Sequence, residues 1–308
     1  MGVGTFGRMT QKLTVQAMAL LTLSPVLWAG NAIVGRMISP LVSPMTLNLL
    51  RWLIAFFLLL PLAGRILRPD SVLWPQWRHF ALLSLFSIGG YNALLYLALN
   101  TSTPINVTLV GASTPVWMLL FGRVFFGQRI SARQLLGAVL SIAGVLLVLC
   151  RGQWAVLLQF HLVVGDIYIL LASMGWAYYS WMLAHPSKEA IALQANWAMF
   201  LLGQVSFGLV WSAGFSAAEW ALTPAHIDWG WPLVGALAFI ATGPAIIAYR
   251  AWGAGVALAG PTVAGFFINL TPLFAALMSV AFLGETPQLF HAMAFVLIVC
   301  GIVLSSRR

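Results

Sequence analysis

Ten apolar runs, each close to twenty residues long, dominate this sequence of 308 residues and decide what it can fold into. A helix rises 1.5 Å per residue, so about twenty apolar residues cross the roughly 30 Å hydrocarbon layer of a bilayer. Hydrocarbon offers the backbone no hydrogen-bond partners, and a helix satisfies its own N–H and C=O groups. The sequence therefore predicts an all-α integral membrane protein with ten transmembrane helices.

The charged residues agree with this fold class and exclude others. Only 7% of the residues are charged, whereas a soluble domain has about a quarter. The net charge of +9 comes from scattered basic residues rather than from a patch, which argues against nucleic-acid binding. Cys150 and Cys300 belong to no CxxC or Cys/His cluster, so we predict no metal, redox centre or other cofactor.

The limits of the ten helices follow from the apolar runs. They are predicted at 13–36, 44–64, 78–99, 104–127, 132–150, 163–184, 190–213, 230–250, 257–283 and 288–305. The longest polar connection is predicted at 214–230. Most Lys and Arg residues fall on the side of the N-terminus, and cytoplasmic segments carry that excess. We therefore expect both termini in the cytoplasm.

One sequence motif occurs twice in the chain. The motif is Thr-Pro, followed by eleven residues and then by Gly and an amide or acid. It occurs in STPVWMLLFGRVFFGQR (113–129) and again, 157 positions later, in LTPLFAALMSVAFLGET (270–286). The copies fall in spans four and nine, which cross the membrane in opposite directions because they are an odd number of spans apart. Trp28-Ala29 in span one and Trp176-Ala177 in span six repeat in the same order. The sequence predicts two inverted five-helix repeats, residues 1–155 and 156–308, which is typical of transporters.

These repeated residues resemble the drug/metabolite transporter superfamily in its ten-span EamA-type branch. The resemblance covers nearly the whole chain and rests on Pro115 with Gly127-Gln128 and on Pro272 with Gly284-Glu285. In this family the motif usually ends in Leu-Gly-Glu. The second copy has this ending, whereas the first copy ends in Phe-Gly-Gln. Within that branch the chain is similar to YddG-type exporters of aromatic amino acids. The resemblance implies a bacterial inner-membrane exporter with two five-helix bundles around a central cavity.

Aromatic and amide side chains deep in the spans are the candidate substrate-binding residues. Rings can pack on an apolar substrate and hold an ammonium group over a ring face. Amides can read a carboxylate or an ammonium group, or they can bond one helix to another. Tyr96 and Tyr249 lie nearer the membrane faces and are candidate gates. The candidate set is Trp28, Asn31, Tyr91, Asn92, Tyr96, Trp117, Trp176, Tyr179, Tyr249 and Asn269.

Proline and glycine residues inside the spans are the candidate hinges. Proline removes a backbone donor and crowds the carbonyl four residues back, so it kinks a helix. Such kinks can be static, and glycines can serve close helix packing instead of motion. Unwound backbone near Gly89-Gly90 or Gly243-Pro244 would expose helix-end amides to a substrate. The candidate hinge residues are Pro115, Pro272, Gly89, Gly90, Gly243 and Pro244. Glycines in spans five and ten predict close contact between those two helices.

Charges inside the spans are scarce, and their scarcity bears on mechanism. No Asp or Glu falls at the middle of a predicted span, which argues against a proton relay through a buried carboxylate. Arg51 lies about 10 Å into span two. It either extends its side chain to the membrane surface or attracts an anionic group.

We expect a transporter that exports small, largely neutral metabolites by alternating access, with aromatic or apolar amino acids first. It would be a monomer that moves substrate down its gradient. Sugars, nucleotide derivatives and cations are alternative cargoes. A membrane enzyme acting on lipids would need clustered Asp, His or Glu, and a channel would need lining charges or a filter motif. The sequence shows neither.

Overall fold

The computed structural model describes residues 13–153, 155, 161–186, 191, 193–283 and 288–306. Within these ranges, ten helices are long and apolar enough to span a membrane. The all-α, ten-span prediction is confirmed.

The ten spans are named α1 to α10 in chain order, and four of them are composed of more than one helical segment. They are α1 (Val15–Ile38), α2 (Pro44–Ala63, followed by a 3-10 turn at Gly64–Leu67), α3 (Trp77–Ser84, a π-helical segment Leu85–Gly89, and Gly90–Thr101), α4 (Pro104–Gly111 and Thr114–Phe126), α5 (Ala132–Leu149), α6 (Val164–Ala184), α7 (Trp197–Leu222), α8 (Trp231–Ile240, a π-helical segment Ala241–Ile247, and Ala248–Ala259), α9 (Pro261–Ile268 and Leu270–Leu283) and α10 (Leu289–Ser306).

The predicted limits of spans seven, eight and nine are wrong by several residues; α7 begins at Trp197 rather than 190, and α9 begins at Pro261 rather than 257. The connection predicted at 214–230 is helical up to Leu222, because Ala, Leu and Glu in that stretch favour a helix over a loop. The eighth span does not stop near 250 but continues to Ala259. Gly260 then ends it with a positive φ of 80°, which glycine adopts without strain, directly before Pro261.

The interruptions fall on corresponding spans of the two halves. Both α3 and α8 contain a π-helical segment, at Leu85–Gly89 and Ala241–Ile247. The expectation of unwound backbone at Gly89-Gly90 and Gly243-Pro244 is therefore wrong. The wider π turns accommodate these positions while the helix continues, and Pro244 with its missing N–H lies inside one of them.

Both α4 and α9 are broken immediately before the repeated Thr-Pro. Pro115 lies in the first turn of the segment Thr114–Phe126, and Pro272 is the third residue of Leu270–Leu283. Neither proline kinks a continuous helix as expected, because the first turn of a helix has no use for the missing N–H. The two breaks meet in space: Asn269 Nδ2 donates to the Ala112 carbonyl at 3.4 Å and to Ser141 Oγ at 2.9 Å.

The close contact predicted between spans five and ten is present. A Cβ added at Gly137 would lie 2.7 Å from the Gly301 carbonyl oxygen, and one added at Gly301 would lie 2.6 Å from the Gly137 carbonyl oxygen. The two backbones approach as closely as they do because neither glycine has a side chain. This contact joins the last helix of the first half to the last helix of the second.

Two carboxylates near helix ends also join the halves. Glu219 of α7 accepts hydrogen bonds from the backbone N–H groups of Met45 and Thr46 at 3.0 and 2.9 Å, and so caps α2. Asp166 of α6 accepts from Ser102, directly after α3, and from the Val163 N–H at 2.9 Å. Both carboxylates stabilise helix N-termini, where negative charge is favoured.

The glycine contact yields the first prediction. Changing Gly137 or Gly301 to Ala should force α5 and α10 apart and lower the thermal midpoint of the purified protein by about 2–10 °C. Gly235→Ala is the matched control, because a Cβ at Gly235 meets no atom within 4 Å. Equal midpoints for the three variants, measured in one detergent, would show that the close approach of the two backbones is not needed for stability.

Candidate functional site

Seven aromatic side chains from five spans converge on one place in the bundle. They form the ring cluster, which comprises Trp28 of α1, Trp52 of α2, Tyr91 of α3, Trp176 and Tyr179 of α6, and Tyr249 and Trp252 of α8. Five of these seven were predicted from the sequence as substrate-binding residues: Trp28, Tyr91, Trp176, Tyr179 and Tyr249.

Trp176 is the centre of the ring cluster. Its ring centroid lies 5.2 Å from that of Trp28 and 5.4 Å from that of Tyr91. The Tyr249 and Trp252 rings lie 5.6 and 5.7 Å away. Edge-to-face geometry prevails among these pairs, which is the arrangement that aromatic quadrupoles favour. Trp176 is 5% exposed, so the rings close over one another in this structure.

The ring cluster lies between the two halves of the chain. Every contact that the first-half rings Trp28, Trp52 and Tyr91 make within the cluster crosses to α6 or α8 of the second half. Trp28 and Trp176, which correspond in the internal repeat, contact each other directly. A relative movement of the halves would therefore have to rearrange these rings.

Polar tips around the cluster bind carbonyls in or beside the π-helical segments. The Tyr249 hydroxyl donates to the Ser87 carbonyl at 3.3 Å, and Trp28 Nε1 donates to the Pro244 carbonyl at 3.3 Å. Asn92 Nδ2 lies 3.5 Å from the Ile88 carbonyl. A π turn disturbs the regular helix ladder, and these side chains supply partners where no water is at hand.

The other predicted residues lie elsewhere or make different contacts. Asn269 is buried and bonds the two helix breaks, as described above. Trp117 stands apart from the cluster, beside Phe121 at 6.1 Å, with its Nε1 bonded to Ser113. Asn31 is half-buried on α1. Tyr96 belongs to α3, but its side chain lies outside the described part of the structure.

Trp52 and Trp252 belong to the cluster but were not predicted. Both are fully buried. Trp252 follows Tyr249 by three residues, and this spacing places both on one face of a helix. That signal was in the sequence, but the predicted eighth span ended at 250 and placed Trp252 in a loop. Trp52 also had a sequence signal, because Asn48 lies four residues before it on the same helix and Arg51 directly precedes it.

Arg51 does not extend to the membrane surface. Its side chain is 4% exposed, and its guanidinium carbon lies 5.0 Å from the centre of the Trp52 ring, beside the ring cluster. Of the two alternatives that the sequence left open for Arg51, the burial contradicts the one in which the side chain reaches the surface.

The chemistry available at the cluster is recognition by ring faces, indole N–H groups, amides and one guanidinium. Among the described residues, no three His, Cys, Asp or Glu side chains converge on a possible metal position. Ser180 Oγ accepts from Trp252 Nε1 at 3.2 Å and donates to the Trp176 backbone carbonyl at 2.9 Å, so this hydroxyl ties the Trp252 ring to α6.

Comparison with known proteins places this arrangement among transporters. The model of the EamA-like transporter family matches the chain twice, at residues 15–150 and 163–307. The uncharacterized transporter YyaM of Bacillus subtilis is 25% identical over 74% of this chain and 72% of its own. The aromatic amino acid exporter YddG of Ancylobacter novellus is 22% identical, with 76% of each chain covered.

A probable terminal-alkyne amino-acid exporter of Streptantibioticus cattleyicolor is 25% identical over 78% of this chain and 77% of its own. One protein of known crystal structure, 22% identical in sequence, superposes with a TM-score of 0.73 over 94% of this chain and 95% of that one. The superposition supports the ten-span fold.

Trp176 should matter more to stability than Trp117, since only Trp176 contacts five rings. Trp176→Ala should lower the stability of the folded protein by about 3–5 kcal/mol, because it leaves a cavity that the surrounding rings can fill only in part. Trp117→Ala removes a half-buried ring outside the cluster and should cost less. Thermal midpoints of both variants in the same detergent check this. A smaller effect at Trp176 than at Trp117 would contradict the central position of that ring.

Proposed function

Because the chain belongs to the EamA-like transporter family, we propose that it exports small zwitterionic metabolites, first among them aromatic or apolar amino acids, across a bacterial inner membrane. The observation that carries the proposal is the ring cluster, which lies between the halves of the chain and is composed of Trp and Tyr side chains from five spans. A substrate ring could replace one of the protein's own ring contacts there with a contact of the same kind.

The relatives with assigned cargoes support an amino acid. One is named as an exporter of aromatic amino acids and another as a probable exporter of terminal-alkyne amino acids. Those cargoes differ in their side chains and share the α-amino and α-carboxylate groups. Sugars, nucleotide derivatives and cations are the competing cargoes, and the transport test below includes them.

Alternating access is the proposed mechanism. Corresponding interruptions in α3 and α8 and in α4 and α9 give each half irregular helix geometry at the same points. If the halves rock about the ring cluster, the site faces one side of the membrane and then the other. The candidate hinge residues Gly89, Gly90, Gly243 and Pro244 lie in or next to the π-helical segments. In this proposal they absorb the bending.

The export is proposed to run down the substrate gradient. In the described part of the chain, Asp166 and Glu219 are bonded to helix ends, and neither belongs to the ring cluster. A coupled proton carrier places a carboxylate where substrate and proton compete for it. We propose that the protein works as a monomer, since the ring cluster is formed within one chain.

Transport is tested with the purified protein in proteoliposomes. Uptake of labelled phenylalanine, tryptophan and leucine should exceed that of empty vesicles, and Trp176→Ala should reduce it about tenfold or more. The matched control is Trp231→Ala, which removes an exposed Trp at the start of α8 and should leave uptake unchanged. Glucose, a nucleotide sugar and a lipophilic cation serve as competing cargoes.

Uptake of a competing cargo with no uptake of amino acids would reject the proposed substrate class. Uptake of amino acids that needs a pH gradient would instead reject only the proposed movement down the substrate gradient.

The proposed orientation has its own test. Reporter enzymes fused after position 128 should be active on the cytoplasmic side, and those fused after position 285 should be active on the outer side. The reason is that the repeated motif ends at these two positions on spans that cross in opposite directions. The same side for both fusions would contradict the inverted repeat.

A further inference from the structure

Arg51 of α2 is a buried cation without a described counter-ion. The residue is 4% exposed, and its Nε has no hydrogen-bond partner within the described ranges. None of the carboxylates in those ranges forms an ion pair with it; Asp166 and Glu219 are bonded to helix ends instead. A buried charge is costly unless it is paired and hydrogen-bonded. The buried Arg51 side chain would therefore be stabilised by an anion bound to its guanidinium group.

The indole N–H group next to Arg51 also lacks a hydrogen-bond acceptor among the described residues. The Trp52 ring lies against the guanidinium group, and its Nε1 is a second buried donor without a partner. Farther from Arg51, beyond the Tyr249 ring, Trp176 Nε1 is another buried donor without a partner within the described ranges. A carboxylate has two oxygens that accept several hydrogen bonds, so it matches this surplus of donors.

One unpaired acceptor lies a turn away on the same helix. Asn48 is 1% exposed, and its Nδ2 donates to Ser212 Oγ at 3.1 Å and to the Ile88 carbonyl at 3.4 Å. These bonds hold the amide in place, and its Oδ1 is left without a partner within the described ranges. Residues three apart on a helix face the same way, with Cβ atoms about 5–6 Å apart. Asn48 therefore offers an unpaired acceptor on the same face of α2 as Arg51, one helical turn away.

The ring cluster continues from this pair. Trp52 contacts Tyr249 with ring centroids 5.0 Å apart, and Tyr249 contacts Trp176 at 5.6 Å. Donor, acceptor and ring faces follow one another across α2, α8 and α6. An amino acid presents the same sequence of groups: a carboxylate, an ammonium group and a side chain.

We propose that Arg51 binds the substrate carboxylate, that Asn48 Oδ1 accepts from the substrate ammonium group, and that the ring cluster takes the side chain. This subsite rests on the proposed function for its substrate class. It recognises the part common to all α-amino acids, so selection among side chains is left to the rings. The planar guanidinium binds a carboxylate through two parallel hydrogen bonds, which an ammonium group cannot do.

Ligand binding to the full chain in lipid nanodiscs tests the subsite through a double comparison. The probes are L-phenylalanine, L-phenylalaninamide, which lacks the carboxylate, and 3-phenylpropanoate, which lacks the ammonium group. The wild-type protein should bind phenylalanine about tenfold to a hundredfold more tightly than the amide. Arg51→Gln should lose that difference and bind the amide as the wild type does, because carboxylate and guanidinium act as a pair.

Three further variants complete the comparison. Arg51→Lys keeps the charge without the planar geometry and should fall between the wild type and Arg51→Gln. Asn48→Leu should weaken phenylalanine binding but leave 3-phenylpropanoate binding unchanged. Arg123→Gln removes an exposed arginine of α4 and is the matched control. Without ligand, Arg51→Gln should be at least as thermostable as the wild type, because it removes an unpaired buried charge.

Binding of phenylalanine by Arg51→Gln with wild-type affinity would overturn the subsite, even if the protein transports amino acids as proposed. Binding of 3-phenylpropanoate that depends on Arg51, in a protein that transports no amino acid, would support the carboxylate site and reject the proposed function. Binding of none of the three probes by the wild type would overturn the subsite. If Arg51→Gln does not fold, the Arg51→Lys variant decides, and wild-type affinity in it would count against paired carboxylate binding.

Discussion

The need to satisfy every backbone carbonyl inside hydrocarbon governs this structure. Ten helices meet that need along most of their length, and the difficult places are the two π-helical segments and the two helix breaks. Each of them faces other helices, and side chains reach across to them. Tyr249 bonds the Ser87 carbonyl, Trp28 the Pro244 carbonyl and Asn269 the Ala112 carbonyl. Irregular backbone is tolerated here because neighbouring spans supply the missing partners.

This requirement explains why ring and amide residues gather where the halves meet. A Trp or Tyr side chain has a polar tip for a carbonyl and a broad face that stays free for packing. At Trp28 and Tyr249 the tip is already bound to the backbone, so only the face is available to a substrate. At Trp52 and Trp176 the N–H groups have no described partner, and at Arg51 the same is true of Nε. The polar tips of Trp28 and Tyr249 therefore hold the bundle together, whereas the unpaired donors of Trp52, Trp176 and Arg51 can bind polar groups of a substrate.

The sequence predicted well what depends on hydropathy and repetition, and less well what depends on three-dimensional partners. The ten spans follow from apolar runs, and the glycine contact of α5 and α10 follows from small residues on one face. Glu219 was placed in the polar connection predicted at 214–230, whereas in the structure it lies in the last turn of α7 and caps α2. For Asn269 the sequence left two roles open, substrate recognition and bonding between helices, and in the structure its amide bonds the two helix breaks. The repeat pairs Asn269 with Ala112, but the sequence alone does not show that these two positions meet in space. Trp252 was missed because the predicted helix ended at 250, whereas α8 continues to Ala259.

The hydrogen bond from Asn269 to Ala112, which joins the two interrupted helices, makes the internal repeat asymmetric. Asn269 and Ala112 occupy matching positions 157 residues apart, yet only one of them carries an amide. For a carrier that rocks as proposed, the outward-facing and inward-facing forms are therefore not mirror images and differ in energy. Such a bias cannot accumulate substrate by itself, because a passive carrier leaves the final concentrations on both sides unchanged. The energy difference does determine on which side of the membrane the empty binding site is open more often. It therefore determines from which compartment the substrate binds more readily.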